Sequence, residues 1–486
     1  MKKSPTNLIA AKRIAVAVAT VFATMSVPAF AADDLKGLMD LLLKKGVITQ
    51  QEYEANLQAA QDAAENKAFK EKRIDDDVAK LNKLAEKNKD TGSVMKSGFG
   101  MQSADGKTTI QLMGRLHMDY RDYSPSFATG SSTDAYQNKL DIRRARLGVK
   151  GKIQNDFKYE IQGTYGGGGV DTEGLGEKNT ILDIAFVDYE VNPALQFRFG
   201  KFKMPYSLEQ LTSSNNIDFM ERSMANQVEG EIVPSKETGA MVFGSPISGV
   251  TYGLALSKGR DNKSAAVDSP DFVGRVTANV AELLGNKEFV THLGLGYSTG
   301  EIAAMTPGSK ATEARGATIF TSTGGGVTAG STRTRIGLEG AIAYGPLKIQ
   351  GETFDTNYAP VGTADKSIKV YYTEALYNLT GESHNYSNSA GTFGWIKPKS
   401  AFTNNGGLGA WQVGVRYTKL DATDFTASST TTNKANALTF GINWILNDNL
   451  RFMLNYVDTK FSTPVGAVGS KVDGEKAIMM RTQIWF

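Results

Sequence analysis

The residues best placed to do chemistry are basic. Arg143-Arg144 is followed by Arg146, Lys150 and Lys152 in a segment whose apolar positions slip in phase, from Leu140 and Ile142 to Ala145, Leu147 and Val149. If this segment is a β-strand, one extra residue at Arg143-Arg144 explains the slip, and the bulge turns both guanidiniums to one side. Five cations then line a single face. Planar guanidinium groups match phosphate oxygens in pairs, so the chemistry implied is anion recognition. Catalysis has little to work with: there is no Cys, and the three His, at 117, 292 and 384, are scattered. No metal, no cofactor and no enzymatic activity are expected. A hydrolase would need a Ser or Thr nucleophile beside His117; a hydrogen-bonded role next to Asp119 is expected instead. The runs Gly166 to Gly169 and Gly324 to Gly326 lack the Lys-Ser/Thr of a phosphate cradle and read as loop tips.

The elements that must position these cations show a period of two. Ile110, Leu112, Gly114, Leu116, Met118 and Tyr120 alternate with Gln111, Met113, Arg115, His117 and Asp119. Trp411, Val413, Val415 and Tyr417 alternate with Gln412, Gly414, Arg416 and Thr418. A strand that is apolar outside and ionic inside is the signature of a membrane barrel. Such runs fall near 108–120, 138–153, 156–165, 180–192, 195–203, 237–245, 250–258, 271–281, 288–299, 333–345, 346–358, 368–380, 409–420, 436–446, 449–460 and 475–486. That even count of sixteen, with many runs long enough to cross a tilted bilayer, predicts an all-β, 16-stranded antiparallel transmembrane barrel over 96–486. A soluble β-sandwich would use strands of about five or six residues. Short connections at Gln154-Asn155, Pro193-Ala194, Pro246, Gly345-Pro346 and Asn447-Asp448 read as periplasmic turns, whereas 121–137, 204–236, 300–332 and 461–474 read as outside loops. Parity places 381–408 in the periplasm despite its length. The alternating face of Ile478, Met480, Ile484 and Phe486 resembles a terminal strand presented to the barrel assembly machinery.

The first part of the chain differs. Lys2, Lys3, Lys12 and Arg13, the apolar run Ile14 to Met25 and Ala29-Phe30-Ala31 predict a signal peptide over 1–31, cleaved before Ala32. Its removal takes the formal net charge from +3 to −1, and no nucleic-acid partner is expected. Export and the absence of Cys suit a Gram-negative envelope, and the expected location is the outer membrane. Residues 32–95 form a helical segment, broken at Gly46 and restarted with Thr49 as cap and Glu52 at the third helical position. Stepping four and three from Tyr53 gives a seam with eight of eleven apolar positions, interrupted by Lys67 and Glu71. A periplasmic coiled coil, a helical hairpin and a single amphipathic helix all fit this pattern.

Across the strands, inward bases are expected at Arg115, Arg143, Arg144, Arg146, Lys150, Lys152, Lys158, Arg198, Arg275, Arg335, Lys348, Arg416, Arg451 and Arg481. Inward acids are expected at Asp119, Asp141, Glu160, Asp188, Glu190, Glu339 and Glu352. Twice as many bases as acids in a nearly neutral chain makes a positive lumen, which favours anions; the competing reading is that Arg and Glu only brace the barrel. The segment 203–237 holds Leu208, Leu211, Phe219 and Met220 beside Glu209, Glu221 and Arg222. It is too long and apolar for a solvated loop and is expected to fold inward.

At these residues the chain resembles the phosphate-selective porins O and P of the outer membrane, over roughly 95–486. The resemblance rests on Gly114-Arg115-Leu116-His117-Met118-Asp119-Tyr120, Arg143-Arg144-Ala145-Arg146-Leu147-Gly148, Phe197 through Glu209, Phe219-Met220-Glu221-Arg222 and Phe393-Gly394-Trp395-Ile396-Lys397-Pro398. It implies a homotrimer of barrels passing phosphate or related anions such as chloride through outer-membrane lipid. It also implies a constriction at Arg115, Arg143 and Arg144, extended by Arg146 and Arg222, with Lys203 and Ser207 as partners at the third loop and periplasmic lysines at Lys397 and Lys399. One departure stands out: Ile184 occupies the place of the family's fourth-strand Asp, so Asp183 or Asp188 must supply that carboxylate. A general anion or small-solute porin, and a structural tether gripping the cell wall through the helical segment, are the other readings.

Overall fold

The computed structural model describes residues 32–87, 93–94, 99–124, 139–166, 181–227, 232–259, 270–302, 312–316, 327, 330–360, 364–403, 406–425, 427, 431–466 and 471–486. The predicted signal peptide and the glycine runs at 167–169 and 324–326 lie outside the described residues. The chain divides into two units, 1–91 and 92–486.

The first unit holds α1 (Ala32–Lys44) and α2 (Gln50–Lys87). Gly46 takes a left-handed φ of 66° between them, a conformation that carries no steric cost for glycine. Thr49 and Glu52 form the predicted capping box: Glu52 N donates to Thr49 Oγ1 at 3.2 Å, and Thr49 N donates to Glu52 Oε2 at 2.8 Å. Two of the helix's orphan donors are satisfied in this way.

The second unit is a closed antiparallel barrel of sixteen strands. They are β1 (Thr109–Ser124), β2 (Lys139–Ile153), β3 (Phe157–Gly166), β4 (Ile181–Asn192), β5 (Leu195–Lys203), β6 (Lys236–Ile247), β7 (Val250–Ser257) and β8 (Asp271–Asn279). The rest are β9 (Phe289–Ile302), β10 (Ser331–Tyr344), β11 (Leu347–Ala359), β12 (Lys366–Asn378), β13 (Ala410–Asp421), β14 (Lys434–Ile445), β15 (Leu450–Val465) and β16 (Val472–Trp485). Each strand pairs with its sequence neighbours, and β16 closes on β1 from Lys476 opposite Ser124 to Trp485 opposite Arg115. Phe486 N and O exchange hydrogen bonds with Gly114 at 3.1 and 3.0 Å. A Cβ on Gly114 would meet the tip of the Phe486 ring at 2.4 Å, so a larger residue at this seam would require the terminal ring to move.

The alternation read from the sequence is the alternation of the wall. Leu112, Leu116, Leu338, Ile342, Phe440 and Ile478 are exposed on the lipid side, while Arg335, Thr418, Thr439 and Arg481 are buried inside. Stacked aromatics, Trp411 on Trp444 at 5.2 Å and Phe289 on Tyr344 at 4.3 Å, lie at strand ends, as interfacial girdles do. The β2–β3 hairpin turns through Gln154 and Asn155, both with positive φ, the backbone that tight hairpins need. The turn expected in the stretch around Pro246 is made by Ser248-Gly249, with Pro246 itself in the last residues of β6.

Several connections depart from the expected plan. The 300–332 segment, expected outside, sends Glu313 inward: its carboxylate takes Arg416 Nη2 at 2.7 Å and Thr439 Oγ1 at 2.8 Å. The long 379–409 connection reaches inward too, since Gly391 O accepts from Arg275 Nη2 at 2.9 Å and Phe393 is buried beside Leu208. β1 also runs four residues beyond its predicted end at 120, which brings Arg121 onto the inner wall.

Candidate functional site

Residues 204–227 and 232–235 lie inside the barrel, as the apolar content of this connection predicted. Met204, Tyr206, Leu208, Phe219, Met220 and Met224 are each no more than 1% exposed. Burying an apolar side chain of this size contributes about 1.5–3 kcal/mol, so burial anchors the segment as firmly as its ion pairs do. Its first turn, α3 (Leu208–Leu211), is capped twice over. Ser207 Oγ accepts from Gln210 N at 3.2 Å, and the Glu352 carboxylate accepts from Leu208 N and Glu209 N at 3.0 and 2.8 Å. Three N–H groups that a helix start leaves unpaired are thereby satisfied. Lys203 Nζ closes the other end, donating to the carbonyls of Gln210 at 2.5 Å and Thr212 at 3.1 Å. Arg222 donates to Glu209 O at 2.9 Å and Thr212 O at 2.8 Å. Lys203, Ser207 and Arg222 thus brace the inserted segment, a use of these side chains that the sequence did not disclose.

Opposite it stands the doubled arginine. His117 pairs with Arg144 and Met118 with Ile142, leaving Arg143 as the extra residue of a β-bulge. Both guanidiniums turn inward, as the phase slip predicted. Arg143 grips Glu221 of the inserted segment with Nε at 2.8 Å and Nη2 at 3.0 Å. Arg121 Nη2 and Arg481 Nη2 reach the same Glu221 Oε1 at 2.9 and 3.0 Å, and Arg144 and Arg315 approach its Oε2 at 3.9 and 4.0 Å. Five guanidiniums therefore surround one carboxylate, with Asp119 as a second acid on Arg121 and Arg481. Positive charge remains in excess.

Arg144 is held loosely. Its closest contacts are His117 Nδ1 at 3.5 Å and the distant Glu221, both at or beyond the outer limit of a good hydrogen bond. Arg115 donates to Ser214 Oγ at 2.6 Å, and Arg146 reaches Asp183 Oδ2 at 3.1 Å. Asp183 is itself the extra residue of a bulge, because Gln162 pairs with Ile184 and Gly163 with Leu182. The bulge carries its carboxylate to Arg146 and Lys236, whereas Asp188 is occupied by Arg198 at 2.6 and 2.7 Å. His117 meets Asn215 at 3.3 Å, a hydrogen-bonded setting. Lys397 and Lys399 lie exposed on the 379–409 connection.

The sequence reading missed Arg121 and Arg315, which it assigned to outside loops, and it undercounted acids. Glu237, Asp271 and Glu374 are buried on inward strand positions, and Glu209, Asp218, Glu221 and Glu313 come from connections. The two-to-one excess of bases is thus a property of part of the wall and not of the whole lumen.

A family model described as phosphate-selective porin O and P matches residues 110–486. The chain belongs to that family. Membership makes this barrel an anion-selective outer-membrane porin, in keeping with the excess arginine on β1, β2 and β16. Porin O of Pseudomonas aeruginosa is 27% identical over 398 residues, covering 75% of this chain and 86% of that protein. Among solved structures, the outer-membrane channel DcaP of Acinetobacter baumannii shares the fold with a TM-score of 0.50 at 12% identity, over 81% of this chain and 99% of DcaP. An anion-selective porin from Comamonas acidovorans has a TM-score of 0.49 at 14% identity, over 78% of this chain and all of that one.

Proposed function

We propose that this porin conducts phosphate and related oxyanions past a constriction formed by Arg115, Arg143, Arg144 and Arg146 on the wall and the inserted residues 204–227 facing them. The observation that carries the reading is the cluster of five guanidiniums around Glu221, whose excess charge is focused by the low-dielectric wall. Arg144, with only long contacts, has donors to offer a passing anion. Binding there must stay weak enough for release. Lys397 and Lys399 would receive the anion at the periplasmic side, and Lys203, Ser207 and Arg222 would serve by holding the segment in place. Phosphate in particular is favoured by the family match and by paired guanidinium donors. Assembly as a homotrimer, with the β16 strand ending at Phe486 read by the barrel assembly machinery, completes the proposal.

The deciding experiment is a single-channel recording in chloride with phosphate added. Block of chloride current by phosphate well below the chloride concentration is the expected result. Absence of block leaves a general anion porin.

A further inference from the structure

On β3 the side chains of Glu160 and Gln162 point inward on either side of the lipid-facing Ile161. Gln162 is 1% exposed, and neither its Nε2 nor its Oε1 has a hydrogen-bond partner among the described residues. The register explains why: β2 places Gly148 beside it and β4 places Ile184, so neither neighbouring side chain can donate or accept. Buried amides without a partner are rare in native folds, and here both the donor and the acceptor are unmet. Glu160, two residues closer to the Gln154-Asn155 turn, is half-buried and likewise forms no hydrogen bond or ion pair among the described residues, although Lys150 faces it on β2. Other acids on this wall are held: Asp183 by Arg146 and Lys236, Asp188 by Arg198, and Glu190 by Lys158. Thr164, the next inward position on β3, accepts from Arg146 Nε at 3.2 Å. The unpartnered pair therefore lies directly below an arginine of the proposed constriction, about 7 and 13 Å further along the strand.

A lone carboxylate beside a path for anions repels what the arginines attract, unless the solute brings a proton to share with it. Phosphate does so: near neutral pH it keeps at least one P–OH, whereas sulfate, of the same shape, keeps none. We propose that Glu160 and Gln162 recognise this hydroxyl and make the channel prefer phosphate to sulfate. The P–OH donates to the Glu160 carboxylate or to Gln162 Oε1, and Gln162 Nε2 donates to an unprotonated phosphate oxygen. Sulfate at the same place accepts from Nε2 but leaves both acceptors unmet and meets Glu160 as a like charge. Arginine cannot make this distinction, because it only donates. The inference rests on the phosphate reading above and names the groups that give it specificity.

The test records chloride current through the full channel in planar bilayers at pH 8, where phosphate and sulfate are both chiefly dianions and differ by one proton. Half-block by phosphate is expected at a concentration about tenfold lower than half-block by sulfate, the size of one hydrogen bond to a charged acceptor. In the double variant Glu160→Met with Gln162→Met, which keeps side-chain length and removes both strong acceptors, the ratio is expected to fall to about one. Loss of the Glu160 charge shifts block by both dianions together, so the ratio reads hydrogen bonding and not charge. Equal block of the unaltered channel by the two anions overturns the inference and leaves the phosphate reading in place, and so does a preference that the double variant keeps. Block by neither anion removes the phosphate reading and the inference with it.

Discussion

Two walls of one lumen use the same residue types in different proportions. On β16, β1 and β2 the inward bases Arg481, Arg115, Arg121, Arg143, Arg144 and Arg146 face the strand acids Asp119, Asp141 and Glu475. On β6 to β12 the inward bases Arg275, Arg333, Arg335 and Lys348 stand among Glu237, Asp271, Glu339, Glu352 and Glu374. There each guanidinium is matched: Arg275 takes Glu339 in two bonds at 2.6 and 3.0 Å, and Asp271 lies 3.1 Å from Arg333 and 3.5 Å from Arg335. Buried arginine by itself therefore says little about selectivity. What distinguishes a surface that attracts anions from one that stiffens a barrel is the local surplus of base over acid.

The largest expected effect breaks this comparison at its strongest point. Replacing Arg143 and Arg144 together with Ala removes two charges from the surplus wall and leaves Arg121 and Arg481 to hold Glu221. Two unit charges near the path of an ion are worth several kcal/mol at an effective dielectric constant of about 20, and salt screens part of that. Anion-over-cation permeability from reversal potentials is expected to fall about tenfold. Arg275→Ala on the balanced wall is expected to leave the reversal potential unmoved while lowering resistance to unfolding, since breaking a buried pair typically costs about 3–5 kcal/mol. Equal selectivity changes for the two variants would erase the distinction between the walls.

A smaller effect tests the surplus from the acid side. Glu221→Gln keeps a hydrogen-bonding side chain within reach of Arg143, Arg121 and Arg481 while adding one net positive charge to the cluster. Anion preference is expected to rise by about two- to threefold, limited by screening in bulk salt. A fall in preference would mean that Glu221 organises the arginines so strongly that geometry outweighs charge.

The barrel was legible because a membrane strand writes its environment into every second residue. Lipid demands apolar side chains at Ile110, Leu112 and Leu116, and water accepts Arg115 and His117 between them. The bulge at Arg143 was legible for the same reason, as a break in that parity. The hub at Glu221 was not. Its partners come from residues 121, 143, 144, 315 and 481, and loops 204–235 and 312–316 carry no period that fixes which way a side chain points. Arg121 was lost by a smaller margin, because β1 continues past Tyr120 through Asp122 and Ser124, where polar residues occupy the outward positions and the apolar alternation fades. Likewise the family resemblance cast Lys203 and Ser207 as partners of the constriction arginines at the third loop, and the structure shows their side chains on the ends of α3. Caps and ligands call for the same side chains, and only three-dimensional placement separates them.

The least effect concerns pH, where the two regions also differ. Guanidinium groups keep their charge throughout the physiological range, so selectivity set by the β1–β2 wall is expected to stay constant from pH 7.5 to 5. The 379–409 connection, which reaches up to the balanced wall, contains a group that titrates. Burial, aided by the nearby Lys348 ammonium and opposed by Asp218, pushes the His384 imidazole from its ordinary 6.5 down to about 4. Its Nε2 lies 3.2 Å from Pro346 O, and its backbone N donates to Gly345 O at 3.3 Å. A histidine whose docked pKa is depressed favours docking fully above about 6.5 and progressively less as pH falls toward about 4, because the released form takes up the proton first. Hydrogen exchange of the 379–403 backbone is therefore expected to quicken as pH drops through that window, after correction for intrinsic exchange, and to lose this dependence in His384→Gln. A pH response that persists in the variant would place the sensitive group elsewhere, and a reversal potential that moves together with exchange would show that the two walls do not act separately.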